Sequence, residues 1–72
     1  MELHLEKNYT LKDEMDSLYI KLYSQNRTFD SLFQEAENRM HLIYIFLAIL
    51  ELYKDGLILI EDNVVMKREK DN

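Results

Sequence analysis

The residues that could do chemistry are few, and their spacing does not serve it. His4 and His41 stand far apart, the chain has no cysteine, and no carboxylate keeps a metal-ligand spacing from either imidazole. Both read as solvent-exposed or helix-start histidines, and His41 as a surface residue. Asp13, Glu14 and Asp16 form an acidic cluster, but carboxylates at the start of a helix meet its positive end, so a charged solvent face accounts for them. Glu35 and Glu37 read the same way. Ser17, Ser24 and Ser31 have no histidine base at a recognisable spacing. With one glycine, Gly56, no Gly-rich phosphate cradle can be built. The expectation is no catalytic, cofactor-binding or metal-binding residue, and no enzyme.

Composition narrows the class further. Seventy-two residues make one domain, and a chain this short buries only about 60% of its unfolded surface. Small domains often lean on a disulfide, a metal or a partner; without cysteine, the partner is the candidate. Lack of cysteine also fits a reducing compartment, so the cytoplasm is expected. Residues 1–10 carry Glu2, Glu6 and Lys7 and lack the basic start and apolar stretch of a signal peptide. The longest apolar run, residues 42–50, is nine residues, about half of the ~20 needed to cross a bilayer. Net charge is −5, and residues 1–38 hold eight acids against four bases. That balance repels phosphate, and Lys and Arg form no cluster suited to nucleic acid.

The elements that must position any binding residue are well signed. Leu3 and Leu5 alternate with Glu2, His4 and Glu6, which suits a short strand or extended lead-in over residues 1–9. Thr10 caps a first helix, with Asp13 as capping-box partner and Leu11, Met15, Leu18 and Leu22 on one stripe beside Tyr19, ending near Ser24. Gln25, Asn26 and Arg27 break that pattern. Thr28 or Asp30 then caps a helix of about two turns carrying Phe29, Leu32, Phe33 and Ala36. Asn38 opens a third helix from Arg39 to Lys54, and Asp55-Gly56 ends it. Leu57 to Ile60 form a strand, Asp62-Asn63 turns, and Val64, Val65 and Met66 return. Three helices followed by a two-stranded wing make a mainly α winged helix-turn-helix over residues 10–68, with a charged tail at 69–72.

The third helix carries more apolar surface than one core needs. At 100° per residue, Met40, Leu47, Ile43, Leu50, Phe46, Tyr53, Leu42, Ile49, Ile45 and Leu52 cover roughly 240°. His41, Ala48 and Glu51 mark the narrow polar side. A central helix flanked by helix 1 and the wing would use part of that arc. Helix 1, helix 2 and the wing already offer Leu11, Met15, Leu18, Leu22, Leu32, Phe33, Leu57 and Leu59 to the core, so the surplus is read as a docking face for protein. Phe46, Ile49, Leu50 and Tyr53, with Leu42, are the candidate partner-binding residues, because aromatic anchors dominate interfaces. Tyr9, Tyr19, Tyr23, Tyr44 and Tyr53 suit half-buried positions, with Tyr53 and then Tyr44 the best placed to touch another chain.

The third helix reads Phe46-Leu47-Ala48-Ile49-Leu50-Glu51-Leu52, followed by Lys54, Gly56-Leu57 and Ile60-Glu61. Upstream, Arg27-Thr28-Phe29 leads into Leu32-Phe33-Gln34-Glu35-Ala36-Glu37. On these strings, residues 10–61 resemble the C-terminal winged-helix domain of the bacterial kleisin family ScpA, segregation and condensation protein A. After Glu61 the chain departs: Asp62-Asn63-Val64-Val65 stands where the family has glutamine and a phenylalanine-glycine-aspartate turn, so wing contacts transfer less safely. The resemblance implies a domain that grips the cap side of one ATPase head of a structural maintenance of chromosomes (SMC) dimer, in chromosome condensation and segregation. It implies a bacterial, cytoplasmic, nucleoid-associated protein. ScpB would bind parts of a longer kleisin outside this chain. Direct nucleic-acid contact and membrane contact are not expected, and self-association of the fragment as a homodimer is the alternative use of the oily helix. The alternative function is a DNA-binding winged-helix transcriptional regulator, for which the third helix offers only Arg39, His41 and Lys54.

Overall fold

The computed structural model describes residues 9–69 of the chain. The strand or lead-in expected at Leu3 and Leu5, and most of the charged tail, lie outside the described residues. Helix α1 spans Leu11–Ser24, and the Thr10 hydroxyl caps it by accepting from the Asp13 N–H at 3.1 Å. Strand β1 is only Arg27–Thr28. Helix α2 follows at Phe29–Phe33, capped by Thr28, whose Oγ1 accepts from the Ser31 N–H at 3.0 Å. It is five residues long, and Ala36 falls in the turns beyond it rather than in a second helical turn.

Helix α3 spans Arg39–Lys54 with Asn38 as its cap, the Asn38 Oδ1 accepting from the His41 N–H at 2.9 Å. Its end is a complete Schellman motif: Gly56 N–H donates to Tyr53 O and Leu57 N–H to Leu52 O, each at 3.0 Å. This closure requires Gly56 at φ +77°, a conformation that costs glycine little and other residues more.

Strands β2 (Ile58–Glu61) and β3 (Val64–Lys67) form the wing, and the sheet order is β1-β3-β2, antiparallel throughout. Asp62 and Asn63 sit at φ 52° and 66°. Two consecutive left-handed residues make the type I′ turn whose twist matches a hairpin, and Asp and Asn tolerate it. A tight wing therefore survives without a glycine in its turn. The Asn63 carbonyl also accepts from the Phe29 N–H at 3.0 Å, joining the wing tip to the start of α2.

The core draws Leu18 and Leu22 from α1, Leu32 from α2, Ile45, Ala48, Ile49 and Leu52 from α3, and Ile58 and Val65 from the sheet. Leu11, Met15, Tyr19, Phe29, Phe33, Ala36 and Ile60 pack around it half-buried. Leu57 and Leu59, expected in this core, are instead exposed. The reason is phase: Leu57 belongs to the helix closure, and the strand alternation that follows turns Ile58 and Ile60 inward. Three helices with a small antiparallel sheet in this order form a winged helix-turn-helix.

Candidate docking site

Helix α3 lies in the fold with its greasiest side outward. Ile45, Ala48, Ile49 and Leu52 fall in one narrow sector of its wheel and are the residues it buries. The outward sector carries Met40, Leu42, Ile43, Phe46, Leu47, Leu50 and Tyr53, all between 37% and 54% exposed. Ala48, expected on a polar solvent side, is 0% exposed because its small side chain sits in the core beneath α1 and the sheet. His41 and Glu51, expected beside it in solvent, flank that inward strip half-buried.

Of the five candidate partner-binding residues, Leu42, Phe46, Leu50 and Tyr53 face outward together. Ile49 does not. It is 1% exposed and a core residue, so it presents no surface to a partner. Its place on the wheel, between the outward Leu42 and the inward Ile45, left its side undetermined until the neighbours of α3 were known. Ile43, Leu47 and Met40 extend the face. Phe33, at the end of α2, joins Leu42, Ile43 and Phe46 around an apolar depression of about 300 Å³. The sequence signal for its α3 wall was present, since Leu42 and Ile43 precede Phe46 by four and three positions and so share its face.

Charge is sparse on this face. Arg39 is exposed and makes no ion pair among the described residues. Lys54 Nζ lies 3.1 Å from Glu51 Oε2, and that hydrogen bond raises the Lys54 pKa above its ordinary value.

Polar contacts brace the opposite flank. His41 is not the free surface histidine expected from sequence: Nδ1 accepts from the Glu37 N–H at 3.0 Å and Nε2 meets Glu14 Oε2 at 3.0 Å. That pattern assigns the ring proton to Nε2, which donates to the carboxylate. The Tyr9 ring stacks on His41 at 4.7 Å and tilts against Tyr44 at 5.9 Å. Glu14 is thus more than a solvent-facing carboxylate. Glu35 likewise serves structure: it accepts from Lys21 Nζ, and from Arg27 Nη1 at 2.9 Å, linking α1 and β1 to the segment after α2. The Lys21 hydrogen bond, with Arg27 adding to it against burial, holds the Glu35 carboxyl below its ordinary pKa. Tyr23, expected half-buried, stands exposed on α1, its ring under Lys67 Nζ at 4.8 Å.

Among the described residues no three His, Cys, Asp or Glu side chains gather as a metal site, and no helix is long and apolar enough to cross a membrane.

The family model of segregation and condensation protein ScpA matches residues 6–68, nearly the whole chain. No curated protein and no solved structure matches it. ScpA proteins are non-enzymatic kleisin subunits of SMC complexes in chromosome segregation and condensation. The chain belongs to the segregation and condensation protein ScpA family.

Proposed function

We propose that this domain docks through the outward face of α3 onto the cap side of an SMC ATPase head, in the bacterial cytoplasm and at the nucleoid through SMC. The observation that carries the proposal is the row Leu42, Phe46, Leu50 and Tyr53, apolar and exposed on a single helix face. A lone soluble domain rarely leaves so continuous an apolar stripe in water. Covering the still-exposed half of each side chain contributes about 1 kcal/mol per residue. The mechanism is mechanical: the domain holds one end of a strap that closes a ring around DNA, while the heads bind and hydrolyse ATP. It catalyses no step, and ScpB would engage other parts of a kleisin.

Calorimetric titration against the cognate SMC head tests this directly. Phe46→Arg and Leu50→Arg should abolish binding with circular dichroism unchanged, because both side chains lie outside the core. Wild-type affinity in both folded variants would overturn the proposal.

A further inference from the structure

We infer that the depression bounded by Phe33, Leu42, Ile43 and Phe46 is an anchor site for a single bulky apolar side chain of the partner, which also presents a carboxylate to Arg39. The inference rests on the docking reading above and specifies what the partner must offer there.

The span of the depression sets the size of the anchor. It is about 300 Å³, open on its outer side, and its α3 wall, Leu42, Ile43 and Phe46, covers only about one helical turn, which suits one large side chain rather than a whole helix or strand. All four lining residues are apolar, so a polar anchor would lose its hydrogen bonds to water without replacement. Two walls come from α3 and one from the end of α2, where Phe33 is steadied by stacking on Phe29 at 5.8 Å. A wall built from two helices and held by the core is formed before any partner arrives.

Arg39 supplies the polar half of the recognition. It precedes Leu42 and Ile43 by three and four positions, which puts it about one turn, ~5 Å, along the same ridge. It is exposed and has no carboxylate partner among the described residues, although acids outnumber bases in the chain, fourteen to nine. A planar guanidinium at the edge of an apolar pocket selects a carboxylate.

The same charges argue against a second copy of this chain as the occupant. Pairing two α3 faces antiparallel sets Arg39 of one copy toward the Lys54–Glu51 ion pair of the other. Parallel pairing sets Arg39 against Arg39. The outward sector of α3 holds no carboxylate to meet Arg39 in either arrangement, and both join bodies that each carry −5. The charge pattern favours a different protein.

The test is calorimetry with the cognate SMC head on wild type, Leu50→Arg, Ile43→Trp, Arg39→Glu and Arg39→Lys, each checked for folding by circular dichroism. Ile43→Trp fills the depression from an exposed position, and Arg39→Glu reverses the charge at its edge. Each should weaken binding about tenfold or more, while Arg39→Lys, which keeps the charge but not the planar fork, loses less than Arg39→Glu, and the Arg39→Glu loss shrinks as salt rises. If Ile43→Trp and Arg39→Glu both bind like wild type while Leu50→Arg does not bind, the anchor is wrong and the docking face stands. If Leu50→Arg also binds like wild type, both fall. Sedimentation showing a tight dimer that the head does not dissociate would overturn the anchor in favour of self-association.

Discussion

Phe46 and Ile49 lie three positions apart on one helix, and their environments are opposite. Ile49→Arg would bury an unpaired guanidinium in the core, at a cost of several kcal/mol that a domain this small cannot absorb, so loss of the cooperative thermal transition is expected. Phe46→Arg should melt close to wild type. Ala48→Leu tests the tight packing at a fully enclosed position: added methyl groups should destabilise by about 1–3 kcal/mol in urea denaturation. Glu35 gives a pH signature. Its folded pKa is lowered by Lys21 and Arg27, so its stabilisation is present above the unfolded glutamate value and is lost as pH falls through the folded value. Stability should decline through that acidic window, and Glu35→Gln should flatten this part of the profile. These residue roles were partly legible in sequence. Phe46 and Tyr53, expected on a docking face, are exposed, whereas Ile49, expected there too, Ala48, expected on the polar side, and His41, expected free at the surface, lie elsewhere, because an arc of apolar residues this wide does not reveal which sector its neighbours cover.

The helix ends are the elements the sequence specifies most sharply. Thr10, Thr28 and Asn38 each accept the backbone N–H three residues on, and replacing any of them with alanine should cost about 1 kcal/mol, read as a lower urea midpoint. Gly56→Ala should cost a similar ~1 kcal/mol from the left-handed backbone alone, since an added methyl would meet only Arg68 Nη1 at 4.0 Å. Bounds for α1, α3 and the wing turn were readable because caps, a closing glycine and an Asp-Asn pair are local signals. Strand β1 was not readable. Its two residues have no periodicity of their own and become a strand only by pairing with Val64 and Val65, far along the chain. The strand phase of β2 slipped by one residue for a related reason: Leu57 is claimed by the helix closure before the strand begins.

At the scale of the molecule, a slight core on one side of α3 coexists with an uncovered apolar face on the other. A partner that covers this face binds only the folded form, so it should stabilise the domain by ~2.7 kcal/mol at a hundred times its dissociation constant. Amide signals of labelled domain should then persist about 10–20 °C higher with the SMC head than without it; no shift would oppose docking through the folded state. The sheet order carries one more consequence. Among the described residues β1 and β2 pair only with β3, which follows both of them along the chain. During synthesis the first strand and the second must therefore wait, unpaired, until Lys67 has left the ribosome. A nascent chain stopped a few residues short of it could pack α1 on α3 yet would have no sheet, leaving the side of the core that Val65 closes bare to chaperones and to its neighbours on the polysome.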